Sequence, residues 1–279
     1  MKTRTAAVLI RLGIAAIFAS SYAFAAPRNF VVFDLDRTLF DPDPRIARIL
    51  HDIGVEKNLP SLSSVTPAQV EAWVAGDRTA LGLPEETLRG IFGSYLDGSN
   101  RTSSFGRKFY YDASYLVHDG VIEGGALLVD RISRLLDADV VYLSGRLDAF
   151  FRAGTLAQLA RHDFPGFGKR ADRAGRTHLL LKTGSTEKLQ NDEFKIEELK
   201  RITGDGRVVA VFDDSSRNLA RFKDWLPAGV PIVRITRSTT LNPGITADGI
   251  LRIRDYCSDP SLIEEILRLA KACSTLAGG

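Results

Sequence analysis

Cysteine, histidine and long apolar runs are all scarce in this 279-residue sequence, and each scarcity removes a class of chemistry. The two cysteines, Cys257 and Cys273, have no cysteine or histidine neighbour at zinc-ligand spacing, which argues against zinc. The four histidines (His51, His118, His162, His178) form no HxH or HxxxH pair. A histidine-based metal site or a phosphohistidine mechanism is therefore unsupported. Past the N-terminal segment, no stretch is long and apolar enough to fill the roughly 20 residues of a membrane-spanning helix. No unit repeats with a period of about 20–50 residues, and there is no low-complexity tract. Charge of one sign is also in short supply. The formal net charge is +3, and Lys2, Arg4 and Arg11 supply that excess, so the body of the chain is neutral. A neutral body lacks the broad basic face that nucleic-acid binding needs. What is present, 44% hydrophobic and 25% charged residues, is the balance of a soluble globular protein rather than a disordered one.

The first 25 residues read as an export signal. Basic residues lead, an apolar stretch covers positions 12–24, and Ala23-Phe24-Ala25 matches the small-x-small pattern of a signal-peptidase site. Cleavage after Ala25 is expected, leaving an exported protein, periplasmic or secreted, with no stable membrane span. The alternative is an uncleaved anchor, for which the stretch is short. Export changes how the cysteines read. In an oxidising compartment, Cys257 and Cys273, flanking a helix expected over 261–272, are expected to form a disulfide, with two buried free thiols as the alternative.

From position 29 onwards short apolar runs alternate with helical patterns. Phe30-Val31-Val32-Phe33 has the continuous apolar character of a strand buried on both faces. Similar runs begin at Val140, His178, Val208 and Ile232. Helical patterns cover 126–136, 147–161, 192–202 and 216–225. This alternation predicts an α/β protein: a Rossmann-like three-layer core with a central parallel sheet. One interval breaks the rhythm. About 100 residues separate the first two strands, and their patterns (44–57, 66–75, 84–96 and near 109–118) are helical. Asp41-Pro42-Asp43-Pro44 opens this interval, and Gly124-Gly125 marks the return. The expected division is therefore a leader (1–25), a core (26–40 and 121–279) and an α-helical cap inserted at 41–120. Such a cap would overhang the carboxyl ends of the strands, where α/β sheets carry their sites.

Those strand ends hold the chemistry. The first strand runs into Asp34-Leu35-Asp36-Arg37-Thr38-Leu39, and two carboxylates there are costly without a cation. The second runs into Ser144-Gly145-Arg146, where a hydroxyl, free backbone N–H groups and a guanidinium suit an anionic oxygen. The fourth ends in Asp213-Asp214. Each set alone could be a capped turn. Together, on one edge of one sheet, they suit Mg²⁺ and phosphate.

These motifs, in this order and with a lysine between the last two, resemble those of the haloacid dehalogenase-like superfamily, and more narrowly its secreted acid-phosphatase-like branch. The resemblance covers about residues 30–235. It implies that Asp34 is a nucleophile that becomes an aspartyl phosphate and that Asp36 is the general acid and base. It also implies that Thr38 shapes the first loop, that Ser144 and Gly145 hold phosphoryl oxygens, and that Mg²⁺ sits on Asp34, the Asp36 main-chain carbonyl, Asp213 and Asp214. The lysine is expected to be Lys195, at the start of a helix, rather than Lys182, at the end of the third strand. Lys182 is then a substrate-side cation or a solvated strand end. Arg146 either pairs with substrate phosphate or bridges the acidic site. Asn218 either steadies the metal carboxylates or lies on a helix surface. The aromatic cluster of Phe105, Phe109, Tyr110, Tyr111 and Tyr115 reads as packing within the cap rather than a stacking platform. The implied activity is Mg²⁺-dependent hydrolysis of a phosphorylated small molecule. Transfer of the phosphoryl group to an alcohol, and a binding module without turnover, are the alternatives. Oligomerisation is left open.

Overall fold

In the first strand, β1 (Arg28–Phe33), successive side chains feed two different cores. Val31 and Phe33 pack with Val140, Tyr142, Phe212 and Val233 on one side of the sheet. Phe30 and Val32 pack with Val141, Leu143, Val208 and Val211 on the other. A strand with both faces covered has no polar face, which is why its sequence reads as an unbroken apolar run. The computed structural model describes residues 28–94, 99–236, 244–246, 249–257 and 260–275. The proposed leader lies outside them. Among the described residues no helix is long and apolar enough to cross a membrane.

The sheet has seven strands in the order β5-β4-β1-β6-β7-β9-β8. These are β4 (Ala138–Leu147), β5 (Thr177–Lys182), β6 (Gly206–Asp213), β7 (Ile232–Ile235), β8 (Gly244–Ile245) and β9 (Leu251–Ile253). All neighbours run parallel except β8, which pairs antiparallel with β9. Helices cover both faces, as the α/β pattern predicts. Residues of α6 (Gly125–Leu135), α7 (Asp148–Arg161) and α10 (Pro260–Thr275) join the first core, and residues of α8 (Asn191–Ile202) and α9 (Ser216–Trp225) join the second. The fold is thus a Rossmann-like three-layer core.

Between β1 and α6 the chain makes its detour. It leaves at β2 (Phe40–Asp41) and returns at β3 (Gly120–Val121), and these two short strands pair antiparallel. Between them lie α1 (Asp43–Lys57), α2 (Pro60–Ser63), α3 (Pro67–Val74), α4 (Glu85–Phe92) and α5 (Ser104–Tyr111). A 3₁₀ helix follows over Ala113–His118. These elements share a third apolar core of their own, around Ile49, Leu50, Ile53, Leu62, Val70 and Phe105. The helix expected over 84–96 stops at Phe92, because Gly93 follows with φ 69°. The rest of that expected range includes 95–98, outside the described residues.

The second strand ends in its motif, as expected: β4 runs through Ser144-Gly145-Arg146 to Leu147. Ser144 pairs with Leu181 and Leu147 with Lys182, so the two residues between them bulge out of the ladder. The disulfide expectation needs correction: Cys257 and Cys273 are both free. The cause is the helix between them. From Pro260 to Cys273 the helix α10 rises about 20 Å, and a disulfide needs Cα atoms within about 7 Å. The Cys273 thiol instead donates to the Gly229 carbonyl at 3.0 Å.

Candidate active site

Parallel pairing of β1 with β6 decides the first contact. The Asp34 N–H donates to the Phe212 carbonyl at 2.9 Å, so Asp34 leaves the sheet beside Asp213. Lys195, in the first turns of α8, reaches between them and is only 2% exposed. Its Nζ donates to Asp34 Oδ1 and to Asp213 Oδ2, each at 2.6 Å. Lys182 does not enter this contact. Oxygen atoms of Asp34, Asp213 and half-buried Asp214 lie within 4.8 Å of one another.

Three clustered carboxylates and one ammonium leave the site short of positive charge. Burial pushes the Asp34 carboxyl well above its ordinary range, and Asp213 and Asp214 push further, against the opposing pull of Lys195. Asp214 is raised to about 7, first by burial and then by Asp213. Burial alone would lower Lys195, yet Asp213 and Asp34 hold it above the usual lysine value. The arrangement fits a divalent cation, because a hard ion would relieve the repulsion that raises Asp34 and Asp214.

Neighbouring groups hold the carboxylates in place. Asn218 Nδ2 donates to both oxygens of Asp213, at 3.0 and 3.1 Å, and the Ser215 N–H donates to Oδ1 at 2.9 Å. Asn218 therefore steadies an acid rather than facing solvent. The loop after Asp34 is tight: the Leu35 carbonyl accepts N–H groups from Thr38, Leu39 and Phe40, and Arg37 adopts φ 63°. Thr38 is fully buried, its Oγ1 sits 3.4 Å from Asp34 Oδ2, and its carbonyl accepts from Tyr256 Oη at 2.9 Å.

Asp36 points into a different group. Arg146 grips it with two hydrogen bonds, Nε to Oδ2 at 2.9 Å and Nη2 to Oδ1 at 2.8 Å. Arg45 of α1 adds a third at 2.6 Å. Burial would raise the Asp36 carboxyl, but the two guanidiniums outweigh it and hold it well below the usual range. The remaining donors of Arg146 go to Thr155, Gln158 and Asp119. Arg146 thus bridges the acidic site, the second of its two sequence readings. Arg45 Nε also lies 3.0 Å from Asp119 Oδ1. Burial raises Asp119 to about 6 despite both arginines.

Ser144 is 1% exposed, and its Oγ accepts the Arg146 N–H at 3.3 Å. At Gly145 a Cβ would lie 2.6 Å from Asn191 Oδ1, so a larger residue would push the Asn191 side chain aside. A cavity of about 680 Å³ joins these groups, bounded by Asp34, Asp36, Ser144 and Lys195 of the core and by Arg45 and Phe109 of the helical detour. Phe105 and Phe109 stack at 5.2 Å within the third core, as the packing reading expects, while Phe109 and Tyr110 also reach the cavity wall.

Sequence reasoning missed Arg45, Asp119, Gln158, Asn191 and Tyr256. Arginine on a helix is ordinarily a solvated side chain, and nothing local marks Arg45 as buried. Its one signal is position: it stands on the first helix after the acidic loop.

With this geometry in hand, comparison with solved structures is decisive for the fold. A subfamily IA haloacid dehalogenase-superfamily hydrolase from Geobacter sulfurreducens is 15% identical. The match covers 86% of this chain and 99% of that one, with a TM-score of 0.50. Protein tyrosine kinase A of Mycobacterium tuberculosis is 14% identical, with 87% and 99% covered and a TM-score of 0.53. The fold is haloacid dehalogenase-like. A haloacid dehalogenase-like family hydrolase from Streptococcus pneumoniae also matches, at 13% identity, 79% and 89% coverage and a TM-score of 0.48. No family model matches the chain, and no curated protein matches it in sequence. In the haloacid dehalogenase-like core the lip of the sheet, where β1 and β6 end, carries the cluster just described.

Proposed function

We propose that the protein is an exported, Mg²⁺-dependent phosphohydrolase of the secreted acid-phosphatase-like branch, acting on phosphate monoesters. The observation that carries this reading is the Lys195 ammonium bridging Asp34 and Asp213 at 2.6 Å on each side, with Asp214 beside them. Lys195 holds one oxygen of Asp34, which fixes the rotation of the carboxylate. The Asp34 carboxylate attacks phosphorus as the bond from phosphorus to the leaving oxygen breaks, and the phosphoryl group is left on Asp34. Water then attacks phosphorus, the bond to Asp34 breaks, and inorganic phosphate leaves.

Asp36 handles the protons, giving one to the leaving oxygen and taking one from the attacking water. In the Arg146 and Arg45 grip its carboxyl is ionised, which is the form that accepts the water's proton. To donate in the first step it must leave that grip and first take up a proton from solvent, which it then passes to the leaving oxygen. Ser144 and the Gly145 backbone are placed to hold phosphoryl oxygens, and Thr38 keeps the loop in shape. The helical detour acts as the cap that closes over the leaving group. Mg²⁺, when bound, would be held by Asp34, the Asp36 carbonyl, Asp213 and Asp214, directly or through water, and would offset charge on the phosphoryl oxygens.

The test is hydrolysis of a chromogenic phosphate monoester with Mg²⁺, with a chelator, and by Asp34→Asn. Turnover is expected with Mg²⁺ alone, and acid-quenched protein should carry one phosphoryl group on Asp34. Undiminished turnover by Asp34→Asn would remove the nucleophile and the reading with it.

A further inference from the structure

Lys182 is a buried cation that the proposed reaction does not use. It ends β5, is 1% exposed, and lines the same cavity as Asp34. Among the described residues its only hydrogen-bond acceptor is the Leu189 carbonyl, at 2.7 Å, and no carboxylate stands within ion-pair distance. Two of its three N–H donors are left without a hydrogen-bond acceptor among those residues, and the ammonium otherwise meets the Phe194 ring, 5.8 Å from its centre. Glu187, the nearest acid in sequence, also lines the cavity but makes no ion pair with Lys182, and the next acids along the chain are engaged elsewhere. Asp192 pairs with Arg217 at 3.1 Å and with Arg221 at 3.3 Å, and Glu193 accepts the Gln190 N–H.

A second cation faces the same space. Arg101, in the helical detour, lines the cavity with its guanidinium 5.7 Å from the centre of the Tyr110 ring, and it too has no carboxylate partner among the described residues. The two repel each other: burial, then Arg101, then Lys195 bring Lys182 down to about 8. Lys195 is neutralised by Asp34 and Asp213, whereas Lys182 and Arg101 are not. An ammonium taken out of water without a counter-charge is costly. Lining one cavity, two such cations are matched by an anion that arrives with the ligand.

We infer that Lys182 and Arg101 form a second anion subsite, so that the substrate is a phosphate monoester whose alcohol half carries a further phosphate or carboxylate. This rests on the phosphohydrolase reading for the first phosphate. Phe109 and Tyr110 provide an apolar wall for the part joining the two charges.

The experiment measures binding, which does not depend on turnover. Calorimetry compares benzylphosphonate with its 4-carboxy and 4-phosphono counterparts, on the full protein with Mg²⁺. Charge-assisted hydrogen bonds to the second anion should tighten binding about tenfold. The ratio between charged and neutral probes should fall towards one in Lys182→Met and in Arg101→Gln. Arg101 is half-buried on a short 3₁₀ turn, so its variant tests the subsite even if loss of Lys182 unsettles the fold. Whichever probe binds more tightly identifies the second group as carboxylate or phosphate. Equal binding of all three probes, no binding of any, or a preference intact in both variants overturns the inference. Matched phenyl phosphates are then assayed for hydrolysis. Preference without turnover leaves the subsite standing and removes the phosphohydrolase reading, and turnover without preference does the reverse.

Discussion

Tyr256 donates its hydroxyl to the Thr38 carbonyl at 2.9 Å across 218 positions of sequence, tying the C-terminal part of the chain to the loop that presents Asp34. The Tyr256 ring packs beside Phe212, with 6.3 Å between centres, and against the backbone at Gly125. Loop and ring therefore share one buried contact with the end of β6.

Tyr256→Phe keeps the ring and removes the bond, leaving the Thr38 carbonyl without its donor. Stability should fall by about 1–2 kcal/mol, read from the urea midpoint. An unchanged midpoint would show that the loop is held by its own Leu35 turn.

Lys195→Met leaves Asp34 and Asp213 buried without their shared counter-charge. Breaking one partner of a buried pair costs about 3–5 kcal/mol near neutral pH. The loss should shrink as pH is lowered, because burial raises the Asp34 carboxyl, which on taking a proton no longer needs the ammonium. Turnover should also fall further than in Lys182→Met. The opposite order of turnover would hand the central role to Lys182.

Lys182 carries its own pH signature. Its folded value, about 8, lies below the ordinary 10.5, so the unfolded chain binds more protons between those limits. Stability of the natural protein relative to Lys182→Met should therefore rise as pH goes from about 8 to 10.5, by about 1–3 kcal/mol. Using the difference between the two proteins cancels tyrosines that titrate in the same range. Parallel stability curves would contradict a depressed Lys182.

Asp213→Asn keeps the shape of the cluster and removes a charge. Restoring activity to chelated protein should then need about tenfold or more Mg²⁺, since a hard cation depends on carboxylate charge. Equal Mg²⁺ titrations for the two proteins would place the cation elsewhere.

Thiol titration of denatured, unreduced protein should find two reactive groups per chain, from Cys257 and Cys273. One intermolecular or internal bridge would lower that count.

The core was legible in sequence because burial on both faces writes itself into a strand as an unbroken apolar run. The polar residues at the lip of the sheet stand out against such runs. Asp34 and Asp213 could be named from that contrast, and Lys195 only from the family that the ordered motifs resemble. Arg45 could not, because helical periodicity in an isolated segment does not say that an arginine will meet Asp36. The disulfide expectation failed for a similar reason: a helix in sequence is a string of residues, but in space it is a rigid spacer.

Local pattern thus determined the alternation of strands and helices and the acids at their ends, since those depend on neighbours along the chain. Only the packed structure decided which charges are paired. It gave Asp36 two guanidiniums and Lys182 no carboxylate, because the neutralisation of a buried charge depends on distance in space, which long-range packing alone fixes.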